Sequence, residues 1–173
     1  MEGKGPLARR FLVDAMLGKL ARWLRLLGFD TVCRRLTGCK DLDACEAERR
    51  VPVTRSQRWC GRKGVVCLAA NETPAQLREL LLRLEIEPSE ARFLSRCVVC
   101  NEELEEVPRD VCQGFVPDYV FATSEAFSRC IGCGRVYWRG THPARMIERF
   151  LGVVEGTRLE GWVPRVGGEK ELM

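Results

Sequence analysis

Apolar residues in the first part of the chain alternate between short continuous runs and runs with helical spacing. Residues 10–14 form a continuous run that ends in Asp14, which predicts a short buried strand. From Met16 to Leu27, leucines and a tryptophan recur at helical spacing, and Gly28 follows where helices typically end. The pattern therefore predicts a strand followed by an amphipathic helix, whose opposite side is basic.

The same alternation continues through three further strands and two further helices. Strands are predicted at 29–33, 51–54 and 64–69, and helices at 41–50 and 73–84. The last of these helices starts with a predicted capping box, in which Thr73 is the cap, Pro74 follows and Gln76 closes the box. The order β-α-β-α-β-β-α favours an α/β layered fold with a mainly parallel sheet.

The pattern changes after Pro88. Between residues 96 and 140, cysteine pairs, turns and short strand-like pieces replace helical periodicity, and a last helix is predicted at 143–151. The glycine-rich end of the chain has no periodicity. These changes predict an α/β domain at 10–88, a small cysteine-rich module with a C-terminal helix at 95–153, and a loose tail at 154–173.

The interpretation of the ten cysteines depends on the cellular compartment. No apolar run in the sequence approaches the roughly 20 residues of a membrane helix, and residues 1–10 lack an apolar signal segment. We therefore expect a cytoplasmic or nuclear protein with no membrane partner, in which cysteines bind metal rather than form disulfides. The cysteines outside two tight pairs are predicted to be reduced thiols: Cys33, Cys39, Cys45, Cys60, Cys67 and Cys112.

The two tight cysteine pairs predict a metal site. Cys97 and Cys100 have the same C-x-x-C spacing as Cys130 and Cys133. Two such turns supply four thiolates in a tetrahedron, which closes a structural Zn²⁺ site and leaves no position for water. An iron–sulfur cluster and incidental pairing of buried thiols are alternatives that ligand identity alone leaves open.

Positive charge is concentrated in the N-terminal part of the chain. Residues 1–70 contain 15 Lys and Arg against 7 Asp and Glu, whereas residues 71–173 contain 13 against 17. This distribution is compatible with a nucleic-acid partner, and the alternative is an ordinary solvated surface. The candidate phosphate contacts are Lys19, Arg22, Arg25, Arg55 and Arg58.

A second candidate contact follows the last cysteine pair. Tyr137 and Trp138 are flanked by Arg135 and Arg139, so the rings can stack on unpaired bases beside cations that bind phosphate. The alternative for the two rings is packing in the core of the last strand.

Acidic residues follow the first and second predicted strands. Asp14 ends the first strand, and Asp41, Asp43 and Glu46 come after the second. Acids at the carboxyl ends of parallel strands can converge to hold Mg²⁺ or Mn²⁺ for phosphodiester cleavage. On spacing alone the structural interpretation is stronger, with Asp14 as a cap and the others as an ordinary helix start. The only histidine, His142, excludes mechanisms that need two.

Three stretches of the sequence resemble the Mut7-C RNase domain family. They are FLVDAMLGKLARWLRLLGFD at 11–30, SRCVVCN at 95–101 and CIGCGRVYWRGTH at 130–142, and the resemblance spans about residues 10–151. The resemblance implies a PIN-like nuclease fold followed by a C-terminal zinc ribbon. It also implies a metal-dependent ribonuclease, with Asp14 as the first acid and Asp41 or Asp43 as the next.

The same family occurs at the C-terminus of animal Mut-7-like proteins, behind a separate 3′–5′ exonuclease domain. The resemblance therefore implies covalent or non-covalent association of this chain with such a domain.

Two departures from the family pattern bear on catalysis. The family has a Thr-Arg-Asp motif after the third strand, whereas this chain has Thr54-Arg55-Ser56, so a carboxylate is replaced by a hydroxyl. Losing one anionic ligand weakens a site for a hard cation. The segment from Asp43 to Thr54 is also several residues shorter than the family's helix. Both departures imply a weakened acidic site.

Three functions are consistent with these features. The first is a Mg²⁺- or Mn²⁺-dependent ribonuclease, and the second is a non-catalytic module that binds single-stranded RNA. The third is a platform on which the ribbon docks a protein. We expect an RNA-processing domain that retains nucleic-acid binding and has little catalytic activity.

Overall fold

The computed structural model describes residues 9–138 and Gly152. The predicted helix at 143–151, Arg139, His142 and the tail at 154–173 lie outside the described residues. The helices are α1 (Gly18–Leu26), α2 (Cys39–Ala47), α3 (Thr73–Arg83) and α4 (Asp118–Thr123). The strands are β1 (Arg10–Asp14), β2 (Asp30–Arg34), β3 (Arg50–Thr54), β4 (Val66–Cys67), β5 (Leu104–Val107), β6 (Phe127–Cys130) and β7 (Val136–Trp138). Short 3₁₀ turns occupy Ala15–Leu17, Pro88–Glu90 and Arg109–Cys112.

The strands form two sheets of different kinds. The first is a four-stranded parallel sheet in the order β2-β1-β3-β4, and the second is a three-stranded antiparallel sheet in the order β5-β6-β7. Asp14 is in register with Arg34, so the carboxyl ends of β1 and β2 lie at one edge. The predicted α/β class with a mainly parallel sheet is therefore confirmed.

Alternate residues of β1 enter separate apolar clusters. Phe11 and Val13 pack with buried leucines of α1 and α3, whereas Leu12 packs with Cys45 of α2 and with Trp59. Because successive side chains of a strand point to opposite faces, helices cover both faces of the sheet. This explains why β1 has a continuous apolar run in the sequence.

The predicted capping box at α3 is wrong. Glu72 takes the cap position, Thr73 is the first helical residue, and no side chain caps the helix. Gln76 is 5% exposed, and its amide donates to the carbonyl oxygens of Ala70 and Asn71 at 3.2 and 2.9 Å. A buried amide must pair its donors, and the carbonyl oxygens of the preceding loop accept those of Gln76.

One of the predictions for the cysteines is also wrong. Cys60 and Cys67 form a disulfide with Cα atoms 5.3 Å apart, although both were expected to be reduced. The turns after Ser56 fold the chain back toward β4, because Trp59 is buried against the sheet. Cys33, Cys39, Cys45 and Cys112 are free thiols.

Side chains join the cysteine-rich module to the edge of the parallel sheet. Asn101 accepts a hydrogen bond from the Thr31 amide at 2.8 Å and donates one to Asp30 at 2.7 Å. Arg25 donates to the Thr31 carbonyl at 2.9 Å and to the Val99 carbonyl at 2.6 Å. On the outer edge of β2, the backbone groups of Thr31 are therefore paired with side chains that also contact the cysteine-rich module.

Asp30 is the centre of a charged network at this junction. It accepts from Arg10 Nε at 2.8 Å, from Arg50 Nη1 and Nη2 at 2.8 and 3.0 Å, and from Asn101. Burial raises the pKa of Asp30, but the hydrogen bonds from Arg50, Asn101 and Arg10 outweigh it and hold that pKa well below its usual range.

No helix within residues 9–138 has the length and hydrophobicity needed to cross a lipid bilayer.

We expect Asp30→Asn to lower the free energy of unfolding by about 2 kcal/mol, because it removes the charged acceptor of this half-buried network. The folded pKa lies below the unfolded value of about 3.9, so the contribution of Asp30 is complete above about pH 4 and is lost as the pH falls through the folded pKa. The stability difference between the two proteins should therefore shrink in acid. Urea unfolding followed by circular dichroism measures it, with exposed Asp43→Asn as the matched control. A difference that does not vary with pH would contradict this role.

Candidate functional site

The four cysteines of the C-x-x-C pairs come together at one point. All four Sγ atoms lie within 4.8 Å of one another, with Cys97 and Cys130 buried and Cys100 and Cys133 exposed. Individual Sγ distances are 3.3 Å between Cys97 and Cys100, 3.2 Å between Cys100 and Cys130, and 3.7 Å between Cys97 and Cys133. Zinc–sulfur bonds of about 2.3 Å place tetrahedral sulfurs about 3.8 Å apart, so the group can hold a metal ion such as zinc.

Both cysteine turns use the same backbone geometry. Asn101 follows the first pair and Gly134 follows the second, and both have a φ of 72°. Their amides donate to the carbonyls of Cys97 and Cys130, at 2.9 and 2.8 Å. Glycine and asparagine tolerate this left-handed conformation better than other residues. Gly132 serves a different purpose, since a Cβ there would lie 3.0 Å from the Cγ of Glu102.

Hydrogen bonds to sulfur make the four thiols unequal. Burial raises the pKa of Cys97, but the Cys100 amide, the Tyr137 hydroxyl and the Val99 amide outweigh it and lower that pKa to about 6. The Tyr137 oxygen lies 3.0 Å from Cys97 Sγ. Hydrogen bonds from the Cys100 thiol to the sulfurs of Cys130 and Cys97 raise the pKa of Cys100 to about 12. Of these two cysteines, Cys97 is therefore the one whose thiolate is favoured, and the thiolate is the form that binds metal.

The aromatic residues near this centre have structural partners. Tyr137 contacts a metal-ligating sulfur, and Trp138 is in register with Phe127 and packs on the small core that includes Val116 and Val120. Core packing, the alternative interpretation, accounts for the half-buried Trp138. Arg135 is exposed and bonds to the Cys133 side chain.

Asp14 makes one close contact at the carboxyl edge of the parallel sheet. The side chain is 4% exposed and accepts a hydrogen bond from Thr54 Oγ1 at 2.7 Å. Thr54 Oγ1 in turn accepts from the Ser56 amide at 3.0 Å. Asp14 occupies the cap position of the 3₁₀ turn, as the alternative interpretation predicted, but its side chain makes no cap hydrogen bond.

Asp41 is used to begin α2. Its carboxylate accepts from the Thr37 amide, the Thr37 hydroxyl and the Gly38 amide, at 2.7, 2.9 and 3.0 Å. These hydrogen bonds lower the pKa of Asp41, led by the one from the Thr37 amide. The interpretation of Asp41 as an ordinary helix start therefore accounts for its contacts.

Asp43 and Glu46 occupy a different side of α2. Both are exposed and line a groove along the helix. Residues two apart on a helix differ by about 200° in direction, so Asp41 and Asp43 do not face one point. In the part of the chain that the structure describes, only the four cysteines form a group of three or more close potential metal ligands. The acids are thus not brought together as such a group.

The predicted phosphate contacts fall into two kinds. Lys19 and Arg22 are exposed on α1, and Arg58 is exposed with its guanidinium 4.7 Å above the Trp59 ring. Arg25 is instead half-buried and donates to backbone carbonyls, and burial lowers its pKa. Arg55 donates through Nη2 to Asn71, and its buried Nε has no hydrogen-bond partner among residues 9–138.

The sequence analysis did not predict the contacts of three residues at these sites. Thr54 holds Asp14, Tyr137 contacts Cys97, and Asn101 joins the metal centre to β2. Thr54 ends a predicted strand beside Asp14 in a parallel sheet, so the expected strand order was a usable signal for it. The partners of Tyr137 and Asn101 depend on packing between distant segments.

We expect Tyr137→Phe to weaken zinc binding by about tenfold, because outer-shell hydrogen bonds to metal ligands contribute about that much. Since protons compete with zinc for thiolates, the variant should also release zinc at a higher pH than the unchanged protein. A colorimetric chelator measures both effects. Tyr119→Phe is the matched control, because Tyr119 is 70% exposed. Identical zinc release by all three proteins would contradict a role for this hydroxyl.

Comparisons with known proteins address the family of the chain. The family model described as Mut7-C RNAse domain matches residues 9–150, which include both sheets and all four cysteines of the metal centre. No curated protein and no solved structure matches the chain. The family match supports a nuclease-like function in RNA processing. The predicted resemblance is confirmed, and the chain belongs to the Mut7-C RNAse domain family.

Proposed function

We propose that this chain is an RNA-processing domain that binds single-stranded RNA and cleaves it weakly or not at all. The observation that supports the proposal is that, within residues 9–138, the expected acids do not form a group of three or more close metal ligands. Asp14 is bound to Thr54, Asp41 caps α2, and Asp43 lies on a groove along that helix. Each acid thus has a different environment.

The donor set around Asp14 is a poor fit for Mg²⁺ or Mn²⁺. These hard cations need several oxygen ligands, and cleavage by two metals needs carboxylates that hold both. Asp14 offers one carboxylate, and its hydrogen-bond partner Thr54 offers a neutral hydroxyl. We therefore assign no catalytic step to a divalent cation at this edge.

Retained RNA binding is supported by cations around the carboxyl edge. Lys19 and Arg22 are on α1, which follows β1, whereas Arg55 and Arg58 follow β3. β1 and β3 are neighbours in the parallel sheet, so the segments that follow them begin at the same edge. Exposed cations there attract phosphates from solution and make binding depend on salt. We propose no direct RNA contact for Arg25, because its guanidinium binds backbone carbonyls.

The remaining features complete the proposal. The four cysteines hold Zn²⁺ in a closed site, which stabilises the ribbon rather than taking part in chemistry. The chain divides into a PIN-like domain at 10–88, a zinc ribbon at 95–153 and a tail. It acts in the cytoplasm or nucleus, in association with a 3′–5′ exonuclease domain.

A second candidate function is a protein-binding platform on the ribbon. Phe115 and Tyr119 are 63% and 70% exposed on the connection between β5 and β6. The salt dependence of binding distinguishes the two candidate functions. For RNA, the logarithm of the binding constant falls linearly with the logarithm of the salt concentration, whereas docking of an apolar protein surface does not show this dependence.

We expect the unchanged protein with Mn²⁺ to leave a labelled single-stranded RNA largely intact while binding it. Ser56→Asp returns a carboxylate to the end of β3 and should raise cleavage by about tenfold or more. Gel analysis of the labelled RNA measures cleavage.

Asp14→Asn combined with Ser56→Asp is the control, and it should abolish the gain. Robust cleavage by the unchanged protein that is lost in Asp14→Asn would overturn the proposal of weak catalysis. Absence of RNA binding at low salt would overturn the proposal of an RNA partner.

A further inference from the structure

A groove with a volume of about 800 Å³ runs along α2 and includes two of the acids that the sequence predicted for a metal site, Asp43 and Glu46. Ligand sites commonly have volumes of about 300–1,000 Å³. One wall is the face of α2, and the other is the segment 62–64 before β4. The lining side chains include Cys39, Asp43, Glu46, Arg49, Arg62 and Lys63.

The charges in this groove do not neutralise each other. Arg50 also lines it, but its guanidinium is paired with Asp30 and Glu48. Within the described part of the chain, the side chains of Arg49, Lys63, Asp43 and Glu46 make no hydrogen bond or ion pair. Cations and carboxylates that face one groove without pairing fit a ligand with both anionic groups and hydroxyl donors.

The outer wall of the groove is held in place. Arg62 lies over the Trp59 ring at 5.9 Å, and its Nη1 is 3.9 Å from Cys39 Sγ. Trp59 is 3% exposed, and the Cys60–Cys67 disulfide closes the loop that contains Arg62 and Lys63. The cations therefore lie on a constrained segment, which lowers the entropy lost when a ligand binds.

The groove also leads away from the carboxyl edge that contains Asp14. Cys39 begins α2 just after the carboxyl end of β2, and Arg49 lies beyond the other end of the helix. A nine-residue helix is about 14 Å long, so the charged side chains are spread along a line of about that length. This arrangement suits an extended, chain-like ligand better than a compact one.

We infer that this groove binds the backbone of single-stranded RNA. Arg49, Arg62 and Lys63 contact phosphates, and the carboxylates of Asp43 and Glu46 accept hydrogen bonds from ribose 2′-hydroxyls. The inference rests on the proposed function and deepens it, because it names a second contact surface and a reason to prefer RNA over DNA.

The first test compares Arg62→Gln/Lys63→Gln with Arg78→Gln/Arg92→Gln, two exposed arginines outside the groove. The probe is fluorescein-labelled oligouridine, and fluorescence anisotropy at several salt concentrations gives affinity and salt slope. Removing two phosphate contacts should weaken binding by about tenfold and reduce the log–log salt slope by about 1.4. The control variant Arg78→Gln/Arg92→Gln should change the affinity and the salt slope much less, although it removes the same amount of positive charge.

The second test addresses the carboxylates. Asp43→Asn should reduce the preference for oligouridine over oligodeoxyuridine by about fivefold, since these probes differ only in the 2′-hydroxyl. Glu125→Gln, at an exposed acid of the ribbon, is the control.

The third test addresses the disulfide. Cys60→Ser/Cys67→Ser removes the constraint on the segment that contains Arg62 and Lys63, and it should weaken binding of oligouridine by about threefold.

The outcomes separate this inference from the proposed function. If the unchanged protein does not bind oligouridine, the proposed function fails. If it binds and the groove pair behaves like the control pair, the groove inference is overturned and the proposed function stands. Equal binding of both probes by the unchanged protein would overturn the role of the carboxylates. Circular dichroism and zinc content identify any variant that has not folded, and Arg62→Lys then tests the same contact with the charge retained.

Discussion

The side chain of Asn101 joins two interactions that would otherwise be independent. It follows the first cysteine pair in a left-handed backbone conformation, and its amide group binds both Asp30 and the Thr31 backbone. The position of the metal centre and the pairing of the edge strand β2 are therefore fixed by the same residue. If the four cysteines hold zinc, as we propose, the binding energy, on the order of 10 kcal/mol in small modules, would be linked to the parallel sheet. The ribbon and the α/β body share a polar junction as well as a chain connection.

In our proposal, the acidic site keeps one buried carboxylate and has little catalytic activity. Asp14 remains buried beside Thr54, where the sheet order places the end of β3. Position 56 is serine, and Asp41 accepts hydrogen bonds at the start of α2, so our proposal assigns neither residue to a cation beside Asp14. The exposed cations Lys19, Arg22 and Arg58 lie on the segments that follow β1 and β3 at this edge. In our proposal the same surface therefore contributes to recognition more than to cleavage.

Local patterns in the sequence predicted the features that depend on near neighbours. Continuous apolar runs predicted the bounds of β1 and β3 to within one residue, and the C-x-x-C spacing predicted that the four cysteines come together. Features set by distant partners were missed or misassigned. Arg25 has the same sequence environment as Lys19 and Arg22, and only the approach of Val98 and Val99 makes it structural. The groove cations were missed because a loop and a helix far apart in sequence form its walls.

The covered edge of β2 has a consequence for the behaviour of the protein without metal. Strand edges with free amides and carbonyls are templates on which other chains can add strands. Here Arg25 and Asn101 occupy the backbone groups of Thr31, and both depend on the folded first cysteine turn. If the four cysteines hold zinc, as we propose, chelation would free these backbone groups of Thr31, and the metal-depleted protein would then expose a strand edge to which other chains can add.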